Sequence, residues 1–461
     1  GSNVVIPMSL AQIALVTDGQ LLNCSDPSLI ICNVSTDTRT VTNGALFLAL
    51  LGERFDAHQF VAQAITNGAV VAVVSRPLAD VAIPQILVAD TRVALGQISA
   101  WVREQLDLQI VAITGSCGKT TLKEMCATIL QQTAPVLATQ GNLNNEIGVP
   151  QTLLRLTPAE RYAVVELGAN HPGEIAWTTS LVKPDVAVIN NVAAAHLAGF
   201  GSLRGVAVAK TEIFGGLSAS GTAVINADSE FYDWWREILS VRTVSFGLQN
   251  SKADFRAENV KQDEQGIASF TLCTPDGQID IQLPIPGLHN VSNALAAAAV
   301  TTSLGLSLVQ VKSGLANMQP VKGRFCVQKL SDDLTVIDDT YNASVQSVMA
   351  AIDTLSVMPG YRVFAFGDMG EMGADAVNLH RQIGEHARLR KLDAVLTVGD
   401  LSRHAADAAS GQHFTDKESL CQALKTLMQQ QRPMTILAKG ARSARMEEVV
   451  AFVKSCEEQA C

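Results

Sequence analysis

Short apolar runs recur along the chain, each followed by a polar turn and then by a stretch with helical periodicity. Ala69–Ser75, Tyr162–Leu167, Asp185–Val192 and Thr222–Ala227 have this form, and so does the β-branched stretch that ends at Ile113. The pattern resumes with Leu334–Asp338, Arg362–Phe366, Ala394–Val398 and Thr435–Ala438. Runs that are apolar throughout, not alternating, suit strands covered on both faces, as in a parallel sheet. Between them Asp90–Leu106, Gly173–Val182, Lys210–Leu217 and Asn290–Leu304 read as helices, with Asn290 as an N-cap. From Ala253 to Leu283 the pattern turns strand-rich, with turns at Gln265-Gly266 and Asp276-Gly277. The chain therefore reads as α/β in three domains: a small one over 1–88, a central one with a β-rich addition over 89–320, and a third over 321–461. No repeat of fixed period is visible.

One junction in this pattern carries chemistry. Ile113-Thr114-Gly115-Ser116-Cys117-Gly118-Lys119-Thr120-Thr121 passes from strand through a glycine-bounded turn into a helix. Glycines let backbone N–H groups approach phosphate oxygens, the helix N-terminus adds positive potential, and a lysine reaches the outer phosphates. Ile113 occupies the first glycine position of the longer, more general loop, so this is the short form G-x-x-G-K-T-T. The hydroxyl of Thr120 is placed to ligate Mg²⁺ beside ATP. Cys117 reads as a small filler side chain, since phosphoryl transfer needs no thiol there.

Bulk properties narrow the partners. With 461 residues, 48% hydrophobic and 17% charged, the chain can bury several cores. A net charge of −10 lacks the basic footprint of a nucleic-acid binder. The nine cysteines form no C-x-x-C pair, which reads as reduced thiols in a cytoplasmic protein. Neither a signal peptide nor a membrane span is expected, and Gly1-Ser2 looks like a cloning remnant.

Other residues gain meaning from their places near strand ends. Glu166 closes an apolar run, where a carboxylate is either paired or bound to metal. His196 lies beyond the next strand, as a structural histidine or a ligand. Lys210 opens a helical stretch and reads first as a surface lysine. Asn142, Asn144, Asn145 and Glu146 form an amide-dense loop, built of Asx turns or shaped to hold a peptide. Asn293 follows the expected cap of an alanine-rich helix. Arg324 stands at the second boundary, where an arginine could reach a γ-phosphate. Asp339, Tyr341 and Asn342 follow a strand end, as do Asp368, Glu371, Lys439 and Arg442 further on.

Together these segments resemble the Mur ligases, ATP-dependent amide-bond ligases of peptidoglycan synthesis. The family markers are Thr114–Thr121, Glu166, His196 and His289–Asn293. Gly141–Pro150, Asp338–Ala343 and Gly367–Gly373 point to the branch that adds D-alanyl-D-alanine, and Ser35–Arg39 and Gly52–His58 fit its first domain. Four positions differ from that branch: Ser344, Val345, Ala441 and Ala57. The resemblance implies a central ATPase domain and a Rossmann-like C-terminal domain. As partners it implies UDP-MurNAc-tripeptide and D-Ala-D-Ala, acting on a monomer, with ATP and two Mg²⁺ as cofactors. Gly115 to Thr121, Asn293, Arg324 and Asp339 would meet the nucleotide. Thr120, Glu166 and His196 would hold metal. Lys119, His196, Lys210, Arg324 and Asp339 would serve catalysis, with Lys210 open to carbamylation. Ser35, Thr36, Asp37, Arg39, Arg54 and His58 would hold the UDP end of the substrate, and Asn142, Asn144, Asn145, Glu146, Tyr341 and Asn342 its peptide end or the dipeptide. Other readings are a sister amide ligase, a folylpolyglutamate-type ligase, or a non-catalytic P-loop switch.

The loop reading makes a first prediction. Replacing Lys119 with alanine should abolish amide formation while leaving the circular dichroism spectrum unchanged. A variant ligating at near the wild-type rate contradicts the reading.

Overall fold

The computed structural model describes residues 4–193, 197–320 and 322–460. Three sheets follow one another along the chain. The first has six strands, in the order Val4–Ser9, Ile30–Ser35, Leu46–Leu48, Val71–Val74, Gln85–Leu87 and Gln20–Leu22. Its four middle strands run parallel and its two edge strands antiparallel. Asp90 then caps the helix Thr91–Glu104, accepting from the N–H groups of Arg92 and Val93. That helix seals the first sheet against the second, so one apolar cluster runs from Met8 and Val73 through Leu95 and Ile98 to Ile110 and Val165.

The second sheet has nine strands. Gln109–Thr114 lies in its parallel region, between Tyr162–Glu166 and Val186–Ile189. The chain leaves this strand for the sheet edge at Val136–Ala138, returns beside it, and then crosses to its other side. Such a reversal opens a crevice at the carboxyl ends of the strands. The β-rich addition is a meander, Phe255–Gln262, Ile267–Thr274 and Gly277–Pro286, antiparallel within itself and joined to the parallel strands through Arg242–Gly247.

Helix Leu288–Ser303 is buried along most of its length. Its alanines 294 and 296–299 let it pack closely between the sheet and the helix Lys119–Gln131. Here two expectations change. Asn290 is not the cap. The chain turns at Gly287, whose φ of +105° favours glycine, and Asn290 instead donates to the carbonyl of Pro286 at 2.8 Å inside the first turn. Nor does Lys210 open a helix. It lies in the last turn of Leu203–Thr211, and a 3₁₀ turn, Glu212–Gly216, follows.

The third sheet has the order Cys326–Ser331, Leu334–Asp339, Met434–Lys439, Tyr361–Phe366, Ala394–Val398 and Gln412–Phe414, parallel except for its first strand. Apolar clusters cover both faces, one around Ile352, Phe364 and Ile383, the other around Leu424, Ile436 and Val449. Register places Asp339, Lys439 and Phe366 side by side at the strand ends.

Candidate functional site at the junction of two sheets

At the end of the central strand the loop 115–118 turns tightly. A side chain at Gly115 would stand 1.5 Å from Asn190 Oδ1, so only glycine fits there. Gly118, at φ +78°, starts the helix that Lys119 opens. Lys119 folds back and donates to the Gly115 carbonyl at 2.9 Å. Neighbouring amides hold the loop. Asn191 Oδ1 accepts from the N–H groups of Ser116 and Cys117, both at 3.0 Å. Asn190 and Asn191 donate to the Cys117 carbonyl at 2.6 and 2.9 Å. Ser116 Oγ exchanges hydrogen bonds with Ala193. The two asparagines were not anticipated as loop partners. The sequence signal available was a pair of amides directly after an apolar strand. Burial pushes the Cys117 thiol up, which suits a filler side chain.

Thr120 is the meeting point of the site. Its hydroxyl donates to Glu166 Oε1 at 3.1 Å and accepts from Arg324 Nη2 at 3.2 Å. Glu166 stands opposite Ile113 in the strand register and is 1% exposed. Its second oxygen is buried and has no hydrogen-bond partner among the described residues; the Lys123 ammonium is 3.7 Å away. A buried carboxylate oxygen with unused lone pairs next to a hydroxyl makes a hard-oxygen pair that suits Mg²⁺, which keeps water and phosphate as its other ligands. Among the described residues no group of three His, Cys, Asp or Glu side chains could cage an ion. His196 lies outside the described residues.

The lysines show how crowded this region is with positive charge. Burial lowers the Lys119 pKa; Glu166 opposes the shift and Arg324 adds to it. Lys210 is 1% exposed, and burial, helped by the Lys119 cation, drives its pKa well below the usual lysine range. It is not the surface lysine its sequence context suggested.

Arg324 arrives from the start of the third sheet, with its guanidinium 4.0 Å from the centre of the Tyr341 ring. Asp339 braces it indirectly. One Asp339 oxygen accepts the N–H of Phe325 at 3.1 Å, and the other accepts Lys439 Nζ at 2.8 Å. Lys439 also donates to the Asn342 carbonyl at 3.0 Å. Asp339 itself lines the cavity, so the same carboxylate that holds the Phe325 N–H and Lys439 also faces the space expected for the nucleotide.

Both sheets border one cavity of about 760 Å³. It is lined by Ser116 to Thr121, by Asn142, Asn144 and Asn145, and by Asn293, Tyr341 and Asn342. Asn293 sits beside Gly118, where an added side chain would meet it at 3.2 Å. Asn144 is closer still to Gly168, near the end of the Glu166 strand, where an added side chain would meet it at 2.8 Å. Glu146 leaves the group and pairs with Arg92 at 2.7 Å. The first-sheet candidates also lie away from this cavity. Ser35 and Asp37 build the turn that carries Arg39, and the Asp37 carboxylate pairs with the Arg39 guanidinium at 2.6 Å. Thr36 accepts a 3.4 Å hydrogen bond from Gln151, on the helix after the amide loop, and Arg54 is exposed. His58 is a further correction. It is buried, Nδ1 bonds Asp56 at 2.6 Å, and Nε2 accepts the Ser75 N–H at 2.9 Å, leaving no ring nitrogen for a ligand. Burial opposes charge on Asp56, but the His58 N–H, Arg76 and the His58 ring together bring its pKa down to about 2.

Comparison with known proteins places these features in a family. The model for the Mur ligase middle domain matches residues 113–301, the Mur ligase glutamate ligase domain 323–442, and the Mur ligase catalytic domain 30–101. UDP-N-acetylmuramoyl-tripeptide–D-alanyl-D-alanine ligase of Escherichia coli is 51% identical, covering 97% of this chain and 98% of the relative. The enzyme of that name from Haemophilus influenzae is 44% identical, covering 98% and 99%. A crystal structure of MurF from Acinetobacter baumannii superposes with a TM-score of 0.93 at 40% identity, over 98% of this chain and 99% of the other. MurF of Thermotoga maritima in complex with ADP gives 0.84 at 27% identity, over 93% and 98%. Folylpolyglutamate synthase of Mycobacterium tuberculosis shares the fold alone, at 0.63 and 16% identity, over 78% and 95%.

Two predictions arise from this geometry. Arg324→Ala should lower kcat by at least about 10²-fold and leave ATP affinity nearly unchanged, as for an arginine that acts on transferring charge. Lost ATP binding with kcat intact at saturating ATP contradicts this. His289 borders the cavity, and burial holds its pKa down to about 4. The unfolded chain takes up that proton near pH 6.5 and the folded chain does so only near 4. Stability from this group is therefore complete above pH 6.5 and is lost as pH falls toward 4. Urea midpoints of His289→Gln should fall less over that window than those of the wild type; an identical fall contradicts it.

Proposed function

The chain belongs to the Mur ligase family, and from that premise we propose that it joins D-alanyl-D-alanine to UDP-MurNAc-tripeptide at the expense of ATP. The observation that carries this reading is the Thr120 hydroxyl, shared between Glu166 of the ATP-loop sheet and Arg324 of the third sheet. A site assembled this way suits a reaction that must bring two anions together.

We assign residues 1–88 to the UDP end of the substrate, 89–320 to ATP and 321–461 to the incoming dipeptide. In the reaction, the terminal carboxylate of the tripeptide takes the γ-phosphoryl group of ATP, and ADP leaves. The amine of D-Ala-D-Ala then attacks the acyl carbon and loses a proton, and phosphate departs as the amide forms. Repulsion between carboxylate and triphosphate opposes the first step. Lys119 and Arg324 supply positive charge where the transferring phosphoryl group spreads its own. Thr120 and Glu166 would hold Mg²⁺, which when bound neutralises β- and γ-phosphate charge.

Asn293, beside the loop glycine, is placed for the adenine. Asn142, Asn144 and Asn145 offer amides to the peptide end of the nucleotide substrate, and Tyr341 and Asn342 border the dipeptide side. The depressed pKa of Lys210 favours its neutral amine, the form that adds CO₂; the new N–C bond and loss of a proton give a carbamate. With His196, that carbamate would provide anionic and imidazole ligands for a second Mg²⁺. We propose a monomer. Among the described residues no helix is long and apolar enough to cross a membrane, which supports the cytoplasmic placement.

An ADP-release assay tests the reading. Turnover should require UDP-MurNAc-tripeptide, and product should form with D-Ala-D-Ala in strong preference to single amino acids. ATP hydrolysis independent of both substrates contradicts it and favours a nucleotide switch.

A further inference from the structure

We propose that Lys123 is a positioning residue that weakens divalent-metal binding at the Thr120–Glu166 pair, so that the metal is held firmly only once nucleotide adds its own charge. The proposal rests on the reading of Thr120 and Glu166 as the metal pair. Lys123 lies one helical turn after Lys119, yet it does not line the nucleotide cavity and reaches Glu166, which does. It is 3% exposed. Burying an ammonium is costly unless its charge and protons are met. Here they are met in a particular way. Its Nζ donates to the Thr139 carbonyl at 2.7 Å, and it stands 3.3 Å from Glu124 Oε1 and 3.7 Å from Glu166 Oε2. The same threonine fixes Glu166 from the other side, since Thr139 Oγ1 accepts the Glu166 N–H at 2.9 Å.

The balance of charge around Glu166 follows from these contacts. Lys123 offsets the carboxylate from behind, while Lys119 and Arg324 stand on the cavity side of the Thr120–Glu166 pair. A divalent cation arriving alone meets one partly neutralised carboxylate and two repelling cations. A triphosphate reverses that sum, so metal and nucleotide enter as a unit. The geometry also leaves Glu166 Oε2 without a hydrogen bond, so it stays available as a ligand. Thr139, held by Lys123, directly precedes the segment that carries Gly141 and Asn142 into the cavity wall. One buried cation therefore braces both the metal carboxylate and the loop proposed to hold the peptide.

Mn²⁺ binding followed by electron paramagnetic resonance tests this, on full-length enzyme with and without the non-hydrolysable analogue AMP-PNP. Wild type should bind Mn²⁺ weakly alone and far more tightly with AMP-PNP. Lys123→Met should bind Mn²⁺ alone on the order of tenfold more tightly than wild type, and should also bind it more tightly in the presence of AMP-PNP. Lys123→Arg, which keeps the charge, should stay near wild type. Lys123→Gln serves in the same comparison if the methionine variant does not fold. A neutral variant with native circular dichroism and AMP-PNP binding, but with Mn²⁺ affinity unchanged or weaker, overturns the proposal. Mn²⁺ binding that survives Glu166→Gln unaltered overturns the metal reading itself, and is recognised separately.

Discussion

The hydroxyl of Thr120 is the point on which this molecule depends. It gives its proton to a carboxylate of the central sheet and receives one from a guanidinium of the third sheet. A carboxylate substrate and a triphosphate repel each other, and catalysis requires fixed positive charge where they meet. That charge is costly to bury: burial lowers the pKa of Lys119 and of Lys210, and a neighbouring cation adds to each shift, Arg324 for Lys119 and Lys119 for Lys210. Bringing Arg324 in from a separate body supplies that charge beside the phosphate loop.

Much of the surrounding structure serves to hold the two halves of this junction. Asn190 and Asn191 fix the loop, and the alanine-rich helix lets the loop helix sit close to the sheet. On the other side Lys439 holds Asp339, Asp339 holds the Phe325 N–H, and Phe325 follows Arg324. These polar contacts are buried, where they bind strongly and leave few alternative arrangements. The reacting groups are thereby pre-positioned, which is how a binding site lowers a barrier without moving parts of its own.

The sequence made some of this legible and hid the rest for identifiable reasons. The strand, glycines, lysine and threonines of the phosphate loop sit at fixed spacing, so their geometry could be read directly. Buried parallel strands were visible because both faces must be apolar. Short edge strands such as Gln20–Leu22 and Val136–Ala138 carry too few residues for a period to show. Asn191 and Lys123 act across the fold, on partners far away in sequence, and nothing local distinguishes them from ordinary polar residues. Lys210 was misread because its own neighbourhood looks like a helix start; only burial reveals its altered chemistry. His58 was misread in the opposite direction, since a substrate role gave way to a buried link between Asp56 and Ser75. Asn290 yielded to Gly287, whose backbone conformation turns the chain three residues earlier than side-chain capping rules suggest.

The central claim is that the junction at Thr120 makes a substrate carboxylate the acceptor of the γ-phosphoryl group. Labelling the terminal carboxylate of UDP-MurNAc-tripeptide with ¹⁸O and analysing the phosphate released during turnover tests it directly. The account predicts that each phosphate carries an oxygen from that carboxylate, because the acyl C–O bond breaks when the amine attacks. Phosphate free of label, formed alongside the amide, would contradict it.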